Sequence, residues 1–194
     1  MISGFAWLAL LIFFSSISVN LILQCGLGMA GIVKPTAQKL PFIKTGIGFL
    51  SVLILWSFFT YVLSPFALGF FGFILFFPAA SLVYYLLESF FFGILLKSSP
   101  DREAAIFFND GLLGAALFIC YNVSGNFIEA LAMSFGFSLG ILLTLLISGE
   151  IRRRSEMEAV PRFLRGSPLI LVSLGLMSLV FGSAALVFYR ILGS

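Results

Sequence analysis

Thirty consecutive residues, from Gly4 to Val33, carry no charge. As one straight helix they would extend about 45 Å, against a bilayer hydrocarbon core of about 30 Å. Such a run belongs in a membrane, yet it is too long to cross one straight. It must tilt, project beyond the core, or break. The stretch SSISVN (15–20) and the glycines Gly26, Gly28 and Gly31 are the candidate breaks. No Lys or Arg precedes the run, and it far exceeds a signal-peptide core of roughly 7–15 residues, so it reads as a retained membrane segment.

The rest of the chain follows the same pattern. Of 194 residues, 61% are hydrophobic and only 10% charged, where a soluble domain carries about 25%. The expectation is an all-α integral membrane protein with no room for a separate soluble domain. The chain has no His, which excludes imidazole catalysis, His-ligated haem and His-ligated zinc. Cys25 and Cys120 lie far apart in apolar runs, which suggests neither a disulfide framework nor a zinc site. They read as buried and inert. The pI near 9.1 reflects topology, and nucleic acid is not expected as a partner.

Charges and turn residues divide the chain into six apolar segments: 4–33, 45–63, 66–96, 104–121, 127–149 and 168–189. Each is expected to be a transmembrane helix, with Pro78 favouring a kink in the third. Alternating the segments puts Lys34, Lys39, Lys44, Lys97, Arg102, Arg152, Arg153, Arg154, Arg162 and Arg165 on one face. The positive-inside rule makes that face cytoplasmic and both termini external. The loop EIRRRSEMEAVPRFLRGS carries five of these arginines and could also dock a cytoplasmic partner.

Asn20, Glu88, Asn109 and Asp110 fall inside apolar segments. A charge at mid-bilayer costs about 2.5–3.5 kcal/mol, so an intramembrane acid reads first as functional. Glu88 alternatively snorkels to the interface or pairs with Lys97, and Asp110 alternatively stays protonated or serves exposed backbone at a helix break. Glu129 lies near the outer end of the fifth segment, within reach of water. GFSLG (136–140), preceded by AMS, offers a small-residue face for helix packing. VNLILQCGLGMAG in segment one and FFNDGLLGAAL in segment four share an Asn followed by small residues. They open two three-helix halves, about 1–96 and 97–194, that run in opposite directions. That is the pattern of an inverted 3+3 repeat with broken helices one and four, and with a site at mid-membrane.

These motifs resemble the six-helix membrane subunits of the Rnf and Na⁺-translocating NADH:quinone oxidoreductase (Nqr) complexes. The resemblance is most specific in the last third: Ile151, Arg152, Val160, Pro161, Arg165 and Gly166 match the family's cytoplasmic loop, and SLGLMSLVF (173–181) its last helix. SVNLILQCGLGMAGI and SLVYYLLESFFF, with Glu88, resemble its first- and third-helix motifs. The orientation resembles that of the A-type Rnf or E-type Nqr subunit. The resemblance implies a bacterial or archaeal inner-membrane location and a paralogous partner of inverted topology. It also implies a [2Fe–2S] cluster shared between the two, each supplying two cysteines. Here the two ligand positions fall on Ala30 and Asp110, with Cys25 and Cys120 displaced from them. No cofactor of the chain's own is therefore expected.

The implied function is a membrane subunit of a redox-driven ion translocase, itself non-catalytic, beside other Rnf/Nqr-like subunits. Asp110, Asn109, Asn20 and Glu88 would form a cation or proton site. The alternative is a stand-alone small transporter or the substrate-binding membrane component of a vitamin importer. Ala6 and Ala9 do not make the Ala-x-x-x-Ala docking motif of such components. A third reading is a scaffold whose polar residues only cap broken helices.

Overall fold

The computed structural model of the protein describes residues 4–28, 41–63, 71–91, 111–157 and 166–192. They form helices joined by turns, with no strand among the described residues. In chain order, α1 (Gly4–Phe13) continues into a π-helical turn, π1 (Phe14–Ser18). α2 (Pro41–Phe58) likewise ends in π2 (Phe59–Leu63). α3 (Phe71–Phe90), α4 (Leu112–Val123), α5 (Phe127–Met157) and α6 (Ser167–Leu192) follow.

Helices are what apolar segments of this kind must form, because they satisfy backbone polar groups within one segment. Side-chain hydroxyls are met in the same way. Ser51 donates to the Ile47 carbonyl at 2.8 Å, Ser134 to Ala130 at 2.7 Å and Ser138 to Ser134 at 3.0 Å. Each hydroxyl is thereby absorbed one turn back along its own helix.

α5 is the central element. It packs against α1, π1, α2, α4 and α6, while α2 also contacts α3 and α4. Phe49 meets Phe135 at 6.3 Å and Trp56 meets Phe127 at 6.2 Å, so α2 and α5 run antiparallel. Phe76 of α3 joins Phe59 of π2 at 4.5 Å and Tyr121 of α4 at 5.4 Å, forming an aromatic cluster at one end. α6 lies at the edge, and its Leu176, Leu179, Val180, Leu186 and Val187 are exposed.

The small-residue face expected at 136–140 is where α1 and π1 meet α5. A Cβ on Gly136 would lie 1.8 Å from Ser15 Oγ and 2.7 Å from the Ile12 carbonyl. One on Gly140 would lie 2.7 Å from the Ser16 carbonyl. The two backbones approach this closely only because no side chain stands between them.

Among the described residues, three helices are long and apolar enough to cross a membrane: Ile43–Val62, Phe127–Ser155 and Ser167–Val187. Three shorter apolar helices accompany them, Ala6–Ser18, Ile74–Phe90 and Leu112–Val123. The twelve residues of α4 rise about 18 Å, roughly half a hydrocarbon core.

Two of the boundaries that differ from the sequence reading move charged residues into helices. α2 starts at Pro41 rather than Thr45, so Lys44 lies inside the helix and not in a loop. Proline at a first helical position loses nothing, because its missing N–H would have had no intrahelical partner. α5 does not stop at Gly149 but runs to Met157, through the first part of the expected loop. Glu150 supports this extension by pairing with Arg153 at 3.0 Å and Arg154 at 3.1 Å, three and four residues on.

Candidate functional site: a polar break beside the central helix

The long first run does break, and within the expected stretch. π1 ends at Val19, whose backbone leaves the helical region at φ −116°, ψ 49°. A short turn follows, in which the Gln24 N–H reaches the Asn20 carbonyl and the Gly26 N–H the Ile22 carbonyl. Gly26 (φ 68°) and Gly28 (φ 75°) then take left-handed conformations, which glycine reaches without the Cβ penalty. Gly31 lies outside the described residues.

Asn20 holds this break together and is 1% exposed. Its Oδ1 accepts the N–H groups of Ile22 and Leu23, both at 3.2 Å. These are donors that the interruption would otherwise strand. Its Nδ2 donates toward the carbonyls of Gly140 (3.1 Å) and Ser16 (3.2 Å) and the hydroxyl of Thr144 (3.2 Å). Thr144 in turn donates to the Gly140 carbonyl at 2.9 Å. One amide therefore ties the interrupted segment to α5. Thr144 was not singled out from the sequence. Its signal was its place four residues after Gly140, one turn further along the small-residue stripe.

Glu88 of α3 is 1% exposed, and Tyr84, one turn earlier on the same face, is fully buried. Lys44 of α2 is 2% exposed. The sequence reading counted Lys44 among the loop residues that orient the chain, but the structure buries it. The earlier helix start is the reason, and Pro41 was the available cue. From the Phe59–Phe76 contact, Lys44 lies fifteen residues back and Glu88 twelve residues on. By helical rise these are about 22 and 18 Å, so the antiparallel hairpin carries the two groups to nearly the same depth. Asn20, paired with Gly140, shares that depth through the α2–α5 register.

Asn109 and Asp110 lie outside the described residues, as do Ala30, Lys97, Arg162 and Arg165. The helix of segment four starts immediately after Gly111, which is left-handed at φ 82°. A Cβ on Gly114 would lie 2.6 Å from the Phe77 ring of α3, so this helix start is pressed against α3. Glu129 is engaged at both oxygens, accepting from the Gly125 N–H at 2.9 Å and from Trp7 Nε1 at 3.2 Å. In the basic segment Arg153 and Arg154 are exposed and Arg152 is half-buried.

The two cysteines differ. Cys120 is buried, with Sγ 3.5 Å from the Ala130 carbonyl, 3.6 Å from Ser134 Oγ and 3.9 Å from Ser124 Oγ. Cys25 sits on the break and is exposed, contrary to the expectation that it is buried. An iron–sulfur cluster is held by Cys thiolates in a fixed set. Cys120 is enclosed by hydroxyls and a carbonyl, and alanine at position 30 has no donor. Among the described residues no three His, Cys, Asp or Glu gather as a metal site. The donors among the described residues do not fit a cluster.

No family model matches the chain. Among curated proteins it is similar to the A-type subunit of the Na⁺-translocating ferredoxin:NAD⁺ oxidoreductase complex of Acetobacterium woodii. The two are 32% identical over 174 residues, covering 84% of this chain and 88% of that protein. It is also similar to the A-type subunit of the ion-translocating oxidoreductase complex of Actinobacillus pleuropneumoniae, at 33% identity over 129 residues (63% and 64% of the two chains). The corresponding protein of Vibrio campbellii is 35% identical over 95 residues (45% and 49%).

Proposed function

Because the chain belongs to the family of A-type subunits of ion-translocating oxidoreductase complexes, we propose that it forms one membrane wall of such a complex and carries part of its ion pathway. Electron-transfer cofactors then reside on other subunits. Family membership favours this reading over an importer component, since the relatives are named as subunits of ion-translocating oxidoreductases.

The observation that carries the reading is the break at 19–28. Gln24, Cys25 and Gly26 are exposed on it. Irregular backbone at membrane depth is tolerated only where protein or a water-filled cavity covers it. A lone chain leaves this break open, and a partner of inverted topology would close it. The helix that starts immediately after the left-handed Gly111 supports a companion break in the second half, as a six-span inverted repeat requires, and the ten basic residues placed on one face put both termini outside in this reading. The location is the bacterial or archaeal cytoplasmic membrane.

Asp110 and Asn109, with Asn20 and Glu88, form the polar site between the halves in this reading. Asn20 shapes the site by holding the break, and the carboxyls meet the cation or proton. Replacing Asp110 with Asn and with Ala, then measuring ion pumping in membrane vesicles, tests it. Pumping should fall at least tenfold in both, and unchanged transport in both removes Asp110 from the pathway.

A further inference from the structure

We propose that the end of π1, where Ser18 and Val19 meet the break, binds a monovalent metal cation of the Na⁺ class. The site rests on the reading of the chain as part of an ion pathway and names atoms of that pathway.

Serine in these helices follows one habit, and Ser18 departs from it. Ser15, Ser51, Ser124, Ser134, Ser148 and Ser155 are buried. Each donates its hydroxyl to a carbonyl three or four residues back along the chain, which hides the hydroxyl from lipid. Ser18 is 7% exposed, and its Oγ has no hydrogen-bond partner. The Phe14 carbonyl, four residues back, accepts the Val19 N–H at 2.9 Å. A hydroxyl buried without a partner costs stability, so the fold keeps Ser18 against a penalty.

Two neighbouring carbonyls are stranded for a separate reason. In an unbroken helix the Ser18 and Val19 carbonyls would accept the N–H groups of Ile22 and Leu23, four residues on. Asn20 Oδ1 takes both donors instead. The amide that closes the break on its donor side thereby opens it on its acceptor side. Among the described residues no backbone N–H reaches either carbonyl. Ser18 Oγ and the Ser18 and Val19 carbonyl oxygens thus stand on consecutive residues at the C-terminal end of a helix. There the macrodipole gathers about half a negative charge. α5 and α6 pack against π1 and wall the site. Gln24, Cys25 and Gly26 are exposed and leave it a wet side, from which water completes the ligand shell.

The chemistry of this set selects the ligand. Each atom is an uncharged oxygen. Ca²⁺ and Mg²⁺ sites draw on carboxylates. None of these oxygens titrates near neutral pH, so they do not hold a proton. Unwound carbonyls and helix C-terminal ends are what membrane transporters offer a monovalent cation.

The experiment follows thermal unfolding of the full chain in detergent as NaCl replaces choline chloride at constant ionic strength. The wild type should gain stability with Na⁺ and saturate. Ser18→Ala should melt no lower than the wild type in choline chloride, because that hydroxyl has no hydrogen bond to lose. It should need at least tenfold more Na⁺ to reach half of the rise, or show no rise. Ser18→Thr keeps the hydroxyl, and Ser51→Ala removes one engaged on its own helix, so both should respond as the wild type does. A wild type without a Na⁺-dependent rise, or an equal rise in Ser18→Ala, overturns the site. The assay involves no pumping, so its failure leaves the Asp110 transport test standing, and failure of that test leaves cation binding at Ser18 measurable.

Discussion

At the scale of single residues, the fold depends on atoms that are missing. Gly140 faces the Ser16 carbonyl across a gap that a methyl group would close to 2.7 Å. The obstructing atom is backbone and cannot rotate aside. Gly140→Ala should therefore destabilise the chain by about 1–3 kcal/mol through overpacking. Gly175→Ala, where a Cβ meets nothing within 4 Å, should be neutral. Thermal unfolding of the two purified variants checks the contrast. The glycine pair was legible in the sequence because close packing leaves a fixed spacing of small residues. Lys44 was not. A lysine beside a loop looks the same in a linear string whether it reaches water or the interior, and the hairpin that buries it is closed by residues more than thirty positions away.

At the scale of elements, the break in the first segment matters most. Its position could be read from SSISVN and the glycines Gly26 and Gly28, within a run whose thirty uncharged residues exceed what a bilayer accommodates. The manner of breaking could not. It combines a π-helical turn, an amide bridging to α5 and two left-handed glycines. Gly26 has open space around its Cβ position but sits at φ 68°. Gly26→Ala should thus cost about 1–2 kcal/mol from backbone conformation, without a clash. A D-alanine at position 26, introduced by semisynthesis, should recover that loss in the same unfolding assay. The extension of α5 past Gly149 was hidden for another reason. Charged residues end an apolar run but do not end a helix, and Glu150, Arg153 and Arg154 favour its continuation.

At the scale of the whole molecule, the exposed break predicts how the chain behaves in and out of its complex. Cys25 should react with N-ethylmaleimide when the chain is purified alone in detergent and be protected in the assembled complex. Cys120, enclosed within the fold, should stay unreacted in both. Mass spectrometry of the alkylated peptides reads the difference, and equal labelling of Cys25 in the two states would remove the covering partner. The family, the helical class and the first break were legible from motifs and run lengths. The depth relation between α2 and α3 emerged only once aromatic contacts fixed their register.

The bond from Asn20 to the Gly140 carbonyl spans 120 residues, and this has a consequence for biogenesis. The first segment leaves the ribosome long before α5 exists. At about 5–20 residues per second, the interval is roughly 6–24 s. Throughout it, the Asn20 amide lacks the acceptors that α5 supplies, so this segment is made well before it can be completed. The insertion machinery must shelter a half-built turn until the fifth segment arrives to close it.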